Sequence, residues 1–297
     1  MADRDPDRSA EAASVMTNGG APRIEYVEAR RVLLNVLDAL SAHLGAVVLV
    51  GAQAVYLRTE GRIAGYQPFT TDADIVLDPT LLASIPPLGD AMRNAGFVLT
   101  DEPGIWEARV TRPGFAEDIV VPVDVIVPEE LAPKAGRRAA RLPGDHGKTT
   151  ARKSPGLAGA VVDNSPIELT ALEPADRRLV SVNVAGYGAL LVAKLHKLGD
   201  RLATPDRLNA KDAGDVYRLF DALSAEDMAV TFRILLDDAR SAATTTQALT
   251  YLGELFSTAT SPGNALAVDA LRTILPAPTV TAVLTAYSNE LIDLLEA

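Results

Sequence analysis

The stretch Phe69–Asp78, FTTDADIVLD, sets two aspartates one residue apart at the mouth of a run whose other residues suit a buried strand. On an extended chain the side chains at i and i+2 share a face, so Asp72 and Asp74 offer four carboxylate oxygens to one small volume. Carboxylates beside a core need a donor or a cation to compensate them. Thr-Thr-Asp is also good turn chemistry. A hard-cation site and a plain turn or helix cap are both open on this stretch alone.

Upstream, Glu25 to Leu44 has helical periodicity, with Val32, Leu33, Val36, Leu37 and Leu40 on one side. AVVLV (Ala46 to Val50) reads as a buried strand ended by Gly51, and AQAVYLR as the first turns of a helix. A glycine there lets the backbone turn tightly and approach a ligand, while the helix start offers free N–H groups to phosphate. Most such glycines only make the turn. Downstream, DIVVPVDVIVP (Asp118 to Pro128) reads as another strand, Val120, Pro122, Asp124 and Ile126 alternating against Val121, Val123, Val125 and Val127. Asp124 is the third candidate acid, since burying it unpaired costs on the order of several kcal/mol. An edge-strand acid facing water is the alternative.

Beyond Val184 the chain becomes Leu- and Ala-rich with helical spacing. The expected fold class is α+β: an α/β-type N-terminal lobe with a mixed sheet, then an all-helical lobe. The expected divisions are a disordered tail over 1–22, the first lobe over 23–184 and a helical bundle over 185–297. Winding Tyr187 to Arg201 as a helix puts Lys194 inside a Leu190, Leu198, Leu191, Leu195 stripe. Winding Lys211 to Leu223 puts Asp212 inside a second stripe. The two helices are expected to pack with Lys194 meeting Asp212, either as a bare salt bridge or with Lys194 reaching on to a phosphate. His196 falls off its stripe and is read as solvated, Trp106 as a packing residue, and Asp78, beside Pro79, as a turn acid.

Composition narrows the chemistry. The 297 residues include no cysteine and three histidines, so a metal would be held by oxygens, which points to Mg²⁺ or Mn²⁺. A net charge of −11 argues against a broadly basic nucleic-acid binder. Yet KAGRRAARLPGDHGKTTARK carries Lys134, Arg137, Arg138, Arg141, Lys148, Arg152 and Lys153 against the single acid Asp145. That run is expected to hold a polyanion backbone, with a solvated loop as the alternative. The first residues lack a signal-peptide core, and the most apolar region, Val32 to Val55, is interrupted by Asn35, Asp38 and His43. No membrane partner and a cytoplasmic location are the expectation.

Strand, glycine turn, helix, Asp-x-Asp strand and a later strand acid follow the order of parts in the nucleotidyltransferase fold. Through VGAQAVYL, TTDADIVLD, PVDVIV, AKLHKLGDR and AKDAGDVYRL, from about Ile24 to Phe220, the sequence resembles the nucleotidyltransferase-like toxins of the AbiEii and MenT group. The resemblance implies catalysis by Asp72, Asp74, Asp124, Lys194 and Asp212. It implies metal on Asp72, Asp74 and Asp124, and a nucleoside triphosphate held at Gly51, Ala52, Gln53, Lys194, Lys211 and Asp212. Lys197 competes with Lys194, which is preferred for its place in the stripe. Ala52 and Gln53 depart from the second glycine and small hydroxyl residue of the family's turn. The implied activity is Mg²⁺-dependent transfer of a nucleotide to the 3′ end of tRNA, which blocks translation and calls for a cognate antitoxin protein. A small-molecule or protein hydroxyl as acceptor, and an inert binding module, are the alternatives.

Overall fold

The computed structural model describes residues 21–132, 138–202 and 209–296. Most of the expected N-terminal tail, together with Lys134 and Arg137 of the basic run, lies outside these residues.

Helix α1 (Ile24–Ala39) buries the face carrying Val32, Leu33, Val36 and Leu37, as its periodicity requires. The expected helix to Leu44 stops earlier, and Ser41–Ala46 forms a 3₁₀ turn instead. Strand β1 (Val47–Val50) is buried throughout and runs directly into helix α2 (Gly51–Arg58). After a loop come β2 (Ala73–Leu77), helix α3 (Leu88–Asn94), β3 (Val98–Leu99), β4 (Ile105–Val110) and β5 (Ile119–Pro128). Along β5, Val121, Val123, Val125 and Val127 are buried, whereas Val120 and Pro122 are exposed and Asp124 is half-buried. The alternation read from the sequence is therefore real, with Asp124 on the face opposite the buried valines. Asp78 ends β2 in a turn, its carboxylate accepting from the N–H (2.8 Å) and hydroxyl (2.6 Å) of Thr80.

Short strands β6 (Ala139–Ala140) and β7 (Ala151–Ser154) follow, then β8 (Asn164–Thr170) and β9 (Leu179–Ala185). The sheet is mixed, in the order β3-β4-β5-β2-β1-β9-β8, with β7 pairing both β5 and β6. β1 is antiparallel to β2, while β2 and β5 run parallel. Helix α1 packs across β2, β5 and β9. Trp106 on β4 is fully buried, its indole N–H donating to the Thr150 carbonyl at 2.9 Å.

From Tyr187 every described element is a helix: α4 (Tyr187–Gly199), α5 (Ala210–Ala222), α6 (Ala225–Asp237), α7 (Ala242–Phe256), α8 (Pro262–Leu271) and α9 (Ala277–Glu296). The molecule is α+β, a mixed sheet followed by a helical region, as the patterning implied. One buried apolar cluster runs from α1 through the sheet to α9. Among the described residues no helix is long and apolar enough to cross a membrane.

Candidate active site

Two register pairs line up the chemistry. Val50 at the end of β1 faces Asp74, and Asp74 faces Asp124. Side chains at paired positions leave a sheet on the same face, so Asp74 and Asp124 project together beside the Gly51 turn. They open into a cleft of about 380 Å³, which Asp72 also lines, and whose opposite wall is α4 with Leu190, Lys194 and Lys197. On a helix, positions three and four apart share a face, which brings these three together.

Gly51 is at φ 72°, a conformation that disfavours side chains. A Cβ there would run into the Asp74 carboxylate, lying 2.8 Å from its Cγ and 3.0 Å from its Cβ. The glycine is thus required twice, for the turn and for the seat of Asp74. Burial and the neighbouring carboxylates of Asp72 and Asp124 push the Asp74 carboxyl up to about 7, against the pull of Lys197 and Lys194. No hydrogen bond reaches that carboxylate among the described residues.

Asp72 is held differently. Its Oδ1 accepts from the Thr70 hydroxyl. Its backbone carbonyl accepts from Gln53 Nε2 at 3.0 Å, and Gln53 Oε1 accepts from Arg30 Nε at 2.9 Å. Arg30 is itself fixed by the Tyr26 hydroxyl (3.0 Å) and the Thr170 carbonyl (3.1 Å). The Gln53 side chain is therefore committed within the protein, whereas the phosphate contact expected at this turn is one of backbone N–H groups. Its side chain is 1% exposed, both ends are spent on positioning the Asp72 peptide, and neither Gln53 nor the buried Ala52 lines the cleft.

Asp124 stands beside Asp74 as expected, and it is already paired. Both of its oxygens are taken by Arg152, Nε to Oδ1 at 3.0 Å and Nη2 to Oδ2 at 2.8 Å. β7 runs parallel to β5 with Arg152 opposite Ile126, so Arg152 shares the face of Asp124. Among the described residues no group of three acidic or histidine side chains is disposed to hold a metal ion. The three expected acids line one cleft, and Arg152 supplies the cation that Asp124 faces there. So paired, Arg152 is not free to grip a nucleic-acid backbone. Of the other basic residues, Arg138, Arg141 and Lys148 are exposed and Lys153 is half-buried.

On the opposite wall, Lys194 and Asp212 meet as the helical windings indicated, at 2.8 Å. Asp215, which those windings did not single out, completes the group at 2.6 Å from Lys194 Nζ. Lys194, Asp212 and Asp215 are 5%, 2% and 1% exposed. Burial works against the Lys194 ammonium, but the Asp215 and Asp212 carboxylates outweigh it and hold its pKa above the ordinary lysine value. Burial likewise opposes the Asp212 carboxylate, and Lys194 and Lys197 overcome it, leaving its pKa below the usual range. Asp215 stands three residues after Asp212 in KDAGD, a helical spacing that could have revealed it. Lys197 lies 3.3 Å from Asp212 with its side chain 49% exposed, so it is the more accessible of the two cleft lysines. Lys211 is half-buried and outside the lining, and its pKa is lowered chiefly by burial.

His196 is a further correction. It is buried, its Nε2 2.8 Å from the Thr244 carbonyl and its ring edge-on to Tyr251.

A search of protein-family models and a search of curated proteins both return no match to this chain. Among solved structures, JHP933 from Helicobacter pylori is similar at 14% identity and a TM-score of 0.45, over 93% of this chain and 95% of that one. An antigenic nucleotidyltransferase-like protein from Paracoccidioides brasiliensis is similar at 13% identity and a TM-score of 0.44, over 87% and 93%. Similarity at this level carries no weight for the chemistry, which rests on the residues of the cleft.

Proposed function

We propose that this protein is a nucleotidyltransferase that moves a nucleoside monophosphate from a nucleoside triphosphate to the 3′ end of tRNA, acting as the toxin of a toxin-antitoxin pair. The observation that carries the reading is the opposition of the Asp72–Asp74 pair to Lys194 and Lys197 across a cleft of about 380 Å³, within the usual size of small-ligand sites. Carboxylates and lysines line the same cleft, and its volume leaves room for phosphates.

The donor set fits one Mg²⁺. Asp72 and Asp74 supply hard oxygens, Asp74 has no donor among the described residues, and Mg²⁺ is commonly held by one or two carboxylates together with substrate phosphates. Bound there, the ion would supply the charge that polarises the α-phosphate. The chain's own residues do the rest. The Gly51 turn allows backbone to approach the phosphates, and the Arg30–Gln53 clamp fixes the strand mouth. Lys197 offsets charge on the phosphates. Lys194, anchored by Asp212 and Asp215, keeps α4 at a set height over the acids. The acceptor oxygen bonds to the α-phosphorus as the bond to pyrophosphate breaks, and the hydroxyl proton is lost to solvent.

Support for an RNA acceptor comes from Arg138, Arg141 and Lys148, exposed on the segment leading into β7, whose Arg152 and Ser154 line the cleft. The net charge of −11 favours a second reading, a cationic small acceptor of the aminoglycoside kind.

The test is incubation with total RNA, Mg²⁺ and each α-labelled nucleoside triphosphate in turn, beside Asp72→Ala. Label in tRNA-sized RNA, absent from the variant, supports the proposal. Label in small molecules or protein instead moves the acceptor. Nucleotide binding without transfer to any acceptor leaves a binding module. Growth arrest on expression, relieved by Asp72→Ala and by a partner protein, tests the toxin role.

A further inference from the structure

The third carboxylate of the cleft is already neutralised, and the group that neutralises it is built into the sheet. Arg152 meets Asp124 through two nearly parallel N–H···O bonds of 3.0 and 2.8 Å, the fork geometry that makes arginine–carboxylate pairs strong and directional. The backbone holds the fork in place. β7 is in register with β5, Arg152 opposite Ile126. The turn at Gly104 wedges beneath it at φ 74°, where a Cβ would lie 2.7 Å from the Val125 carbonyl oxygen and 2.8 Å from Arg152 Cβ. Gly104 also donates to the Thr149 carbonyl and accepts from the Val125 N–H, both at 2.8 Å, which stitches β4, β5 and β7 at this point.

The guanidinium also belongs to the cleft. Arg152 and Asp124 both line it. Asp74 and Glu102 add to the stabilisation of the Arg152 charge, so its field reaches Asp74 on β2. Nη1, the guanidinium nitrogen outside the fork, makes no hydrogen bond among the described residues, which leaves a donor for a phosphate oxygen.

We infer that Arg152 is a fixed cation standing where a second metal ion would otherwise be required, so that the cleft takes a single divalent ion, on Asp72 and Asp74. The inference rests on the nucleotidyltransferase reading only in taking Asp72 and Asp74 as the ion's ligands. A covalently tethered charge cannot dissociate, and unlike an ion it is already in place before the nucleotide arrives. With both Asp124 oxygens engaged, a second ion would have to displace a bidentate guanidinium and leave it, half-buried, beside a like charge.

The experiment counts ions. Mn²⁺ alone is titrated into the full chain, followed by calorimetry and by the loss of the free-Mn²⁺ resonance signal. The expected result is one ion per chain in the wild type and one in Asp124→Asn, which keeps an oxygen for Arg152 but removes the third carboxylate. Arg152→Gln, which frees Asp124, is expected to rise to two. Two ions on the wild type, or loss of the ion in Asp124→Asn, would overturn the role given to Arg152. No ion on the wild type at all would instead overturn the assignment of Asp72 and Asp74 beneath it. Should Arg152→Gln not fold, the Asp124→Asn count decides alone.

Discussion

Replacing Gly51 with alanine tests the geometry of the cleft at its tightest point. The added methyl must adopt φ near 72°, which costs an L-residue roughly 1–2 kcal/mol. It must also clear Asp74, whose Cγ and Cβ would stand 2.8 and 3.0 Å away. The carboxylate oxygen and Cγ of Asp74 lie deepest in the methyl's path, so the carboxylate has to move or the strand has to give. Overpacking of this kind costs about 1–3 kcal/mol. The total is about 2–5 kcal/mol, readable as a lower urea midpoint. Displacing Asp74 also moves a proposed ion ligand, and misplacement of a reacting group by about 1 Å can cost on the order of 100-fold in rate. Gly51→Ala should therefore weaken Mn²⁺ binding and abolish transfer together. The double variant Gly51→Ala/Asp74→Ala separates the two costs. Truncating Asp74 removes the carboxylate from the methyl's path, so the pair should be less destabilised than the sum of the singles, by about 1–3 kcal/mol. Strict additivity, or a Gly51→Ala protein with wild-type midpoint and Mn²⁺ affinity, would refute the contact as the reason for the glycine.

Other expectations follow from the same contacts. Lys194→Met strands the buried Asp215 carboxylate and leaves Asp212 with Lys197 alone, and should cost about 3–5 kcal/mol in chemical denaturation, with much of the loss recovered when Asp215→Asn is added. Gln53→Ala leaves Arg30 Nε unpaired and the Asp72 peptide unheld, for a loss of about 1–3 kcal/mol and weaker Mn²⁺ binding, while nucleotide binding without metal should change little. Asp74 titrates near 7 in the folded chain, above the ordinary aspartate value of about 3.9. A raised folded pKa gives stability that is fully present below the unfolded value and lost as pH rises through the folded one. Metal-free protein should therefore lose stability between about pH 4 and pH 7 from this group, a component that Asp74→Asn removes; equal slopes in the two proteins would count against it.

What could be read from the chain beforehand was whatever depends on near neighbours. The alternation in Ile119–Pro128, the i, i+2 aspartates and the Lys194–Asp212 meeting all follow from periodicity within one element or between two helices. What escaped depends on pairings remote in sequence. Arg152 reaches Asp124 only because β7, a four-residue strand with an ordinary mixed composition, pairs with β5 across 28 residues. Gln53 enters the expected site by its place in the glycine turn, and nothing near it in sequence shows that its side chain pairs with Arg30, on another helix 23 residues upstream. His196 looked solvated from its own helix, and the Thr244 carbonyl that receives it belongs to α7. β8 escaped notice because its polar, proline-containing sequence, NSPIELT, carries no run of apolar residues.

The two walls of the cleft share one covalent beam. β9 pairs with β1 inside the sheet, and after Gly186 alone the chain becomes α4, so the strand that braces the acids and the helix that bears the lysines are successive lengths of one rod. Asp163 clamps the joint from the side, its carboxylate accepting from the Ala189 N–H at 2.9 Å and its carbonyl from Gly186 N–H at 2.7 Å. The jaw opening is therefore a manufactured dimension, set by the number of residues between Ala185 and Lys194 and by the rise of about 1.5 Å per helical residue. Adding one residue at the joint would turn the cationic face by about 100°, and the same amino acids would then frame no cleft.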